Sequence, residues 1–353
     1  MRAVGRRGLS ADGASLAPAP ARSFAGWPGG TGPRYVPAMS ERWEPGGGGV
    51  EEAILELVAE LQGCAVTAET ELGDLDFDSL AYAELAAAAE GRFGLVLPED
   101  GVKGLEVVSD LVALARMARA GEGEDGSPDD GAGEEAARSM PRGLGRLQRT
   151  SDVVGGSLLR WWFRISVHGR EHMPAEGPAI LCMNHESWLD IPVAVIASHR
   201  RISFMAKQEL FRSRVGGFFL HEMGGFRVDR DAFDLKAIRL ALTVLARGEV
   251  LGMYPEGTRK PGVLLPFLPG AAWLALRTGA PLVPMAIRGT DVAWPRGQRV
   301  PKRVPIDVVL DPPIEVQPVD DPVKRRAEAE ELTHRLRAVF DRLLAGQPGS
   351  APG

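Results

Sequence analysis

The stretch AILCMNHESWLDIPVAVIA, residues 179–197, decides the fold class of the longer half of this chain. Its first five residues are apolar and strand-like, whereas Asn184, Ser187 and Pro192 favour a turn that leads into a helix. His185 and Asp190 lie five positions apart, and on one continuous helix they would point about 140° away from each other. The two side chains can therefore meet only if His185 precedes the helix. The stretch predicts a strand, a turn and a helix, in that order.

Strand-like runs alternate with helix-compatible segments on the C-terminal side of this stretch. Five further runs have this character: RISFMAK (201–207), GGFRVDR (224–230), EVLGMYPEG (249–257), PLVPMAI (281–287) and PIDVVL (305–310). The amphipathic segment DPVKRRAEAEELTHRLRAVFDRLLA (321–345) predicts a last helix. The alternation predicts an α/β domain with a mostly parallel sheet over residues 150–344.

A shorter region, residues 50–119, predicts an all-helical domain. In VEEAILELVAELQG (50–63), apolar residues repeat at intervals of three and four, as on one face of an amphipathic helix. The segment DSLAYAELAAAAEGRFG (78–94) is rich in alanine and glutamate, which favour helix. A last helix is predicted in EVVSDLVALARMARA (106–120), because Val107, Leu111 and Leu114 share one side.

Three segments lack the apolar periodicity of a folded domain. Residues 1–49 are rich in Gly, Pro, Ala and Arg, residues 120–149 contain few large apolar side chains, and residues 345–353 are a short Gly/Pro tail. These compositions predict a disordered N-terminal extension, a flexible acidic linker and a disordered tail. Within the extension, Met39 is a candidate translation start as an alternative to Met1.

The charge of the chain is divided between the two predicted domains. Residues 50–120 carry 15 acidic and 4 basic side chains, whereas residues 141–353 carry 22 acidic and 30 basic ones. Opposite signs favour contact between the two domains and draw the basic one toward anionic surfaces or substrates. The sequence contains no uninterrupted apolar run of membrane-spanning length and no secretory signal pattern. We therefore expect a cytoplasmic protein with free cysteines at positions 64 and 182.

Ser79 stands at the start of the second predicted helix, directly after Asp78. Taken alone, this D-S-L sequence is more typical of a helix N-cap than of a modification site. Its context is a first helix, a long loop, the D-S-L helix, FGLVLPED (93–100) and a final helix, and this order resembles an acyl carrier protein along the whole region. The resemblance implies a small four-helix bundle with 4'-phosphopantetheine covalently attached to Ser79, and it implies that Asp78 and Glu84 dock basic partner surfaces.

The His185 and Asp190 pair predicts acid–base chemistry. A carboxylate on one ring nitrogen fixes the histidine tautomer and stabilises the imidazolium, which leaves the other nitrogen as a general base for an alcohol. The alternative is that Asp190 only caps the following helix.

Three more motifs follow strand-like runs. GGFRVDR ends on Arg230, YPEGTRK (254–260) contains Arg259, and VPMAIRGT (283–290) contains Pro284. Turns after strands form the substrate rim of open α/β sheets, and arginines there suit a phosphate group. Each arginine taken alone could also be a solvated surface charge.

Together the four motifs resemble the glycerolipid acyltransferase family, whose best-known members are the 1-acylglycerol-3-phosphate acyltransferases, over about residues 150–320. The resemblance implies a catalytic pair of His185 and Asp190 and no metal. It assigns glycerol-phosphate contacts to Lys207, Arg230, Glu256, Gly257, Thr258 and Arg259, and a structural role to Pro284. Arg227 departs from the second motif, which leaves the identity of the acceptor open.

The combined resemblance predicts an enzyme of phospholipid synthesis. It would move a fatty acyl group from a carrier thioester to the free hydroxyl of 1-acylglycerol 3-phosphate, a lysophospholipid, giving phosphatidic acid. The donor would be the chain's own carrier domain after modification by a phosphopantetheinyl transferase, and no nucleic-acid partner is expected. The alternatives are the same chemistry on a lyso-aminolipid, glycolipid or secondary metabolite, and a non-catalytic carrier or docking protein.

The segment SLLRWWFRISV, residues 157–167, predicts an amphipathic helix. Leu158, Trp162 and Ile165 share one face of it, whereas Arg160 and Arg164 line another. A core-packed helix and an interfacial helix both fit this pattern. In the second case, the protein would lie peripherally on anionic lipid at the inner face of the cell membrane.

Overall fold

The computed structural model describes residues 49–75, 77, 79–98, 105–121, 156–207, 225–228, 235–295, 297–298 and 300–346. The predicted linker lies almost wholly outside these ranges, as do the N-terminal extension and the C-terminal tail, so their predicted disorder stays a prediction.

The N-terminal region is helical, as the sequence predicts. It contains α1 (Gly49–Gln62), α2 (Ser79–Phe93) and α3 (Val108–Gly121). Their apolar faces meet in one buried cluster that includes Leu57, Tyr82 and Leu111. These three are the helices of this region that the structure describes, and residues 99–104 lie outside it. A four-helix bundle therefore stays a prediction.

The C-terminal region is an α/β domain with a seven-stranded sheet. Its strands are β1 (Ser166–His168), β2 (Ala179–Met183), β3 (Ile202–Lys207), β4 (Gly225–Val228), β5 (Val250–Met253), β6 (Leu282–Arg288) and β7 (Asp307–Leu310). Their order is β1-β7-β6-β2-β5-β3-β4. Only the β6–β7 pair among these neighbours is antiparallel, so the predicted mostly parallel sheet is confirmed.

Six of the seven strands coincide with the predicted runs, and β1 corrects the sequence prediction. The amphipathic helix expected over residues 157–167 ends at residue 163 instead; its described part is residues 156–163, and we call it α4. Arg164 has a φ of 45°, which lies outside the right-handed helical region. The chain therefore leaves the helix at this residue, and Ile165 precedes the strand rather than continuing the helical face.

Helices cover both faces of the sheet. They are α5 (Asp190–Ser198), α6 (Leu235–Ala246), α7 (Gly270–Thr278), the short α8 (Thr290–Ala293) and α9 (Pro322–Leu344), the last of which is the predicted C-terminal helix. Within β2, Ile180 and Cys182 join the apolar cluster under α6, α7 and α9. Leu181 and Met183 join the cluster under α4 and α5. The two-residue period of a strand explains why the whole run AILCM is apolar and buried.

The parallel pairing of β2 with β5 and β6 determines where the loops meet. Because these three strands run in one direction, the residues that follow them converge on a single edge of the sheet. His185, Tyr254 and Thr290 each follow one of these strands within three residues. Among the described residues, no helix has the length and apolar character needed to cross a membrane.

Candidate active site

His185 and Asp190 meet at the turn between β2 and α5. Residues 184–189 are not helical, and α5 begins at Asp190, so the predicted strand, turn and helix are confirmed. The His185 Nδ1 and Asp190 Oδ2 atoms are 2.9 Å apart. The Asp190 side chain is completely buried and that of His185 is 14% exposed. Because an ionised carboxylate only accepts hydrogen bonds, Nδ1 carries the proton, which leaves a lone pair on Nε2.

The Asp190 carboxylate is held by more donors than the histidine. Its Oδ2 also accepts hydrogen bonds from the backbone N–H groups of Glu186 at 2.7 Å and Ser187 at 2.8 Å. Its Oδ1 accepts one from Thr290 Oγ1 at 2.6 Å. Asp190 therefore stabilises the turn before α5 and orients His185 at the same time. Its role as a cap of the following helix and its role as the partner of His185 are compatible. Such saturation is what a buried charge requires.

Tyr254 stacks on the imidazole of His185. Their ring centroids are 3.9 Å apart and the ring planes differ by 21°. Stacking fixes the plane of the imidazole, while the bond to Asp190 fixes its rotation. Tyr254 was not among the residues predicted for the site. Its position immediately after β5, at the head of the motif YPEGTRK, is the signal that could have identified it.

Glu256 ties the turn after β2 to the loop after β5. Its Oε1 accepts a hydrogen bond from the backbone N–H of His185 at 2.9 Å, and its Oε2 accepts one from Leu265 at 2.8 Å. Burial raises the pKa of this carboxyl, and the two backbone bonds act in the opposite direction. Both oxygens are thus engaged by the protein, an arrangement that suits a positioning role.

Asn184 fixes the end of β2 to β6. Its side-chain amide donates to Ile287 O and accepts from Ile287 N, each at 2.8 Å, and the residue is completely buried. The sequence analysis identified Asn184 only as a turn residue. A polar residue that directly follows a buried strand was the available signal for this bridge.

Glu186 is a second acidic group beside His185 and Asp190, and no sequence pattern indicated it. Burial raises the pKa of this carboxyl to about 7, and the neighbouring charges of Asp291 and Asp190 add to the effect. Half-buried acids with raised pKa values are common near reactive centres.

The remaining predicted residues fall into two groups, and those of the first group lie in the described loop after β5. The Arg259 guanidinium lies 4.4 Å from the centroid of the Trp188 ring, on the loops that carry His185 and Glu256. Gly257 has a φ of 66°, and a Cβ there would come within 2.7 Å of Leu268, so this turn requires glycine. Thr258 is exposed in the same loop.

The second group lies partly or wholly outside the described residues. Lys207 ends β3, and its backbone lies at the same edge of the sheet as the loop after β5, but its side chain is not described. Arg230 is outside the described ranges, and so is the side chain of Arg227 in β4. Pro284 pairs with Cys182 inside the sheet. Ser79 is the first residue of α2, and Asp78 lies outside the description.

Helix α4 has a buried side and an exposed side. Phe163 is 2% exposed and belongs to the core, whereas Leu158 and Trp161 are 61% and 60% exposed. The Arg303 guanidinium lies 4.8 Å from the Trp161 ring centroid and 5.8 Å from that of Trp162. The exposed apolar side is therefore Leu158, Trp161 and Trp162, which corrects the face that the sequence predicts.

Two family models match separate parts of the chain. The model described as Acyltransferase matches residues 164–288, which include His185, Asp190 and Arg259. The model described as Phosphopantetheine attachment site matches residues 52–115, which include Ser79.

Curated relatives match the α/β half. A 1-acyl-sn-glycerol-3-phosphate acyltransferase of Bacillus subtilis is 30% identical over 183 residues, which are 51% of this chain and 89% of the relative. A protein of the same description from Limnanthes douglasii is 33% identical over 183 residues, 49% of this chain and 64% of the relative. A crystal structure of the 1-acyl-sn-glycerophosphate acyltransferase from Thermotoga maritima aligns with 62% of this chain and 90% of its own, at 24% identity and a TM-score of 0.45.

Proposed function

The chain belongs to the acyltransferase family that includes the 1-acyl-sn-glycerol-3-phosphate acyltransferases, and from this premise we propose its reaction. It transfers a fatty acyl group from a carrier thioester to the free hydroxyl of 1-acylglycerol 3-phosphate, which gives phosphatidic acid. The observation that carries the proposal is the orientation of His185, whose Nδ1 is held by buried Asp190 and whose Nε2 is left to accept a proton.

In the proposed reaction, His185 Nε2 takes the proton of the acceptor hydroxyl as the oxygen attacks the thioester carbonyl carbon. Asp190 stabilises the imidazolium that forms. Collapse of the tetrahedral adduct breaks the carbon–sulfur bond, and the departing thiolate takes the proton back from His185. The products are an ester and a free thiol. The proposal involves no acyl-enzyme ester and no metal.

We assign the acceptor phosphate to the edge of the sheet that carries Arg259. Its guanidinium lies over the Trp188 ring, 4.4 Å from the ring centroid, and can present a fork of donors to phosphate oxygens. Lys207 ends β3 and Arg230 follows the neighbouring β4, and both are proposed as further cationic contacts. Gly257 and Thr258 are proposed to shape the loop that carries Arg259. Glu256 acts by positioning the His185 turn.

Residues 50–119 are proposed as the carrier domain that supplies the thioester, with residues 120–149 as linker and 150–344 as acyltransferase domain. Ser79 begins a helix of 15 residues, and a helix N-terminus favours an attached phosphate because its backbone N–H groups are free to donate. A 4'-phosphopantetheine arm on Ser79, added by a phosphopantetheinyl transferase, would supply the thiol that carries the acyl chain. The three described helices are then part of a four-helix bundle.

A lyso-aminolipid acceptor is a second candidate, because acidic groups lie beside the base. Glu186 is close enough to Asp291 and Asp190 for their charges to raise the pKa of its carboxyl. An acceptor with a cationic headgroup would be favoured by these carboxylates and disfavoured by Arg259. Offering lysophosphatidic acid and a lyso-aminolipid in equal amounts decides between them, since the true acceptor is consumed first.

The test of the chemistry is a single turnover on the intact chain. Acylated holo-protein is analysed by intact mass spectrometry before and after lysophosphatidic acid is added. We expect His185→Ala to lower the rate of deacylation about a thousandfold. His334→Ala changes an exposed histidine on α9 and serves as the control. A His185→Ala chain that transfers at the wild-type rate would refute the base assignment.

The test of the carrier assignment is modification by a phosphopantetheinyl transferase. The wild-type chain should gain the mass of the pantetheine arm and the Ser79→Ala chain should not. Mixing Ser79→Ala with His185→Ala then separates delivery within one chain from delivery between chains. Full rescue at low protein concentration would exclude strict delivery within one chain.

We also propose that the exposed side of α4 docks on an anionic membrane surface at the inner face of the cell membrane. Trp161 and Trp162 beside Arg303 combine amphipathic rings with a cation, as interfacial segments do. In liposome flotation, Trp161→Ala with Trp162→Ala should weaken binding to anionic vesicles. Met117→Ala, which changes an exposed apolar side chain on α3, should not. Equal flotation of all three proteins would contradict the proposal.

A further inference from the structure

Helix α2 is buried on every side over residues 81–86. Tyr82 and Leu85 are completely buried and pack against α1 and α3 within the helical region. Leu80 packs against the apolar cluster of the α/β region, and the Glu84 side chain faces Trp273 in α7 and Arg325 in α9. The helix that begins at Ser79 therefore lies between the two regions of the chain.

One carboxylate oxygen makes the polar part of this contact. Glu84 Oε1 accepts a hydrogen bond from Arg325 Nη1 at 2.5 Å and one from Trp273 Nε1 at 2.8 Å. The side chains of Arg325 and Glu84 are only 1% and 10% exposed. Both partners of this ion pair are thus almost completely desolvated, although they are 241 residues apart in the sequence.

The α/β region orients Arg325 for this contact without help from α2. Arg325 Nε donates to Val319 O at 2.9 Å, and Nη2 donates to Asp320 O at 2.8 Å. These two bonds leave Nη1 directed at Glu84, next to the indole N–H of Trp273. Arg325 and Trp273 thus form a pre-organised site with two donors for one carboxylate. We call this pair of donors the Glu84 socket.

A cavity and an exposed ion pair also lie between the two regions. A cavity of about 30 Å³ remains between α2 and the α7–α9 surface, lined by Leu80 and Ala81 on one side and by Pro269 and Trp273 on the other. A second ion pair, Glu90 with Arg239 at 3.7 Å, is solvent-exposed on both sides. Exposed ion pairs contribute little to stability, and incomplete packing gives up dispersion contacts. Among the described residues, the Glu84 socket therefore makes the buried ion pair between the regions, and it lies beside apolar contacts made by Leu80 and Ile238.

We infer that the Glu84 socket is a reversible latch that holds the carrier region on its own acyltransferase region, and that opening it exposes α2 to the enzymes that modify and load Ser79. The inference rests on the proposed function for the role of Ser79. A second protein cannot reach the sides of α2 while residues 81–86 are buried. A buried ion pair suits a latch because the desolvation of two charges offsets most of their attraction, which keeps the closed state from being irreversible.

The latch is tested by hydrogen exchange on the full-length chain, which needs no catalytic activity. Glu84→Gln removes the charge and keeps the size of the side chain. We expect amide exchange to rise at least tenfold in peptides from both sides of the contact, α2 and the first turns of α9. Glu90→Gln, which breaks the exposed ion pair between the same regions, is the matched control and should leave both peptides unchanged. Unchanged exchange in Glu84→Gln would overturn the inference.

Helix α3 distinguishes opening from unfolding, because it packs on α1 and contributes to the core of the helical region. Its exchange should stay at the wild-type rate when the latch opens. If Glu84→Gln also loses protection from exchange in α3, the variant Trp273→Phe distinguishes opening from unfolding. It removes one donor of the Glu84 socket and leaves the side chains of the helical region unchanged. Protection of α2 that survives in Trp273→Phe would then overturn the inference.

A second readout connects the latch to loading. The initial rate of modification by a phosphopantetheinyl transferase should rise several-fold in Glu84→Gln and stay unchanged in Glu90→Gln. If Ser79 is never modified in any variant, the carrier assignment fails, while the exchange experiment still decides whether the latch exists. If modification occurs at equal rates in both variants, the latch does not control access.

Discussion

Thr290 donates a 2.6 Å hydrogen bond from its Oγ1 to Asp190 Oδ1, although the two residues are 100 positions apart. Thr290 follows β6 and Asp190 begins α5, so this bond joins two loops at the edge of the sheet where His185 lies. It completes the set of donors around a carboxylate with no solvent exposure. The orientation of the proposed base therefore depends on a residue outside the turn that contains His185 and Asp190.

Replacement of Thr290 by valine keeps the shape of the side chain and removes this donor. Because a hydrogen bond to a charged group contributes about 1.5–3 kcal/mol, we expect kcat to fall about tenfold or more while KM for the acceptor changes little. Steady-state kinetics measures both. Thr290→Ser retains the hydroxyl and should keep most of the activity. An equal fall in kcat in the serine and valine variants would show that the Thr290 hydroxyl does not account for the effect.

Glu256→Gln should disturb the His185 turn, since Glu256 accepts backbone N–H bonds on both of its oxygens. A glutamine can accept only one of the two bonds and places its own N–H₂ group against the other donor. An unsatisfied buried donor costs about 1–3 kcal/mol, so we expect a lower Tm together with a lower kcat. Calorimetry and kinetics provide the two measurements. A rise in acceptor KM alone would instead favour direct contact with substrate.

Glu186→Gln should change the pH dependence of stability. The pKa of Glu186 rises from its ordinary value of 4.5 to about 7 in the folded chain, so the folded state retains a proton that the unfolded state loses. Wild-type stability therefore falls as pH rises from about 4.5 to about 7 and stays lower above that window. Glutamine cannot ionise, so this loss should be absent in the variant.

Thermal unfolding at pH 5 and pH 8 measures the effect of Glu186→Gln. The Tm of the variant should exceed that of wild type at pH 8 by more than it does at pH 5. Glu171→Gln changes an exposed carboxylate outside this site and is the control. If the Tm difference between Glu186→Gln and wild type were the same at pH 5 and at pH 8, the prediction would be contradicted.

Arg259→Lys tests recognition of the acceptor phosphate. Lysine keeps the charge and loses the planar fork and the stacking on Trp188. We expect acceptor KM to rise about tenfold, which corresponds to about 1.4 kcal/mol, with kcat within a few-fold of wild type. The same variant assayed with a lysolipid that lacks phosphate should show a smaller change. An equal rise in KM for both acceptors would show that Arg259 does not contact the acceptor phosphate.

Local sequence patterns identified most of the fold and the centre of the site. Apolar runs of strand length gave six of the seven strands, and turn residues after AILCM placed His185 before the helix of Asp190. The strand β1 was missed because it is three residues long and adjoins an amphipathic segment, where tertiary contacts with β7 decide the conformation. Tyr254 and Asn184 directly follow buried strands, which was the available signal for them. The partners of these two residues and of Thr290 lie far away along the chain, so neighbouring residues do not indicate what they touch.

The sequence by itself therefore determined the order of the elements, the division of charge and the residues proposed for acyl transfer, because each of these depends on neighbours along the chain. Only the tertiary structure decided how those residues are oriented. The strand order brings Glu256 and Thr290 to the turn of His185 across 71 and 100 positions, and it brings Arg325 to Glu84 across 241. Such pairs form because buried polar groups must find partners once the sheet and its helices are packed.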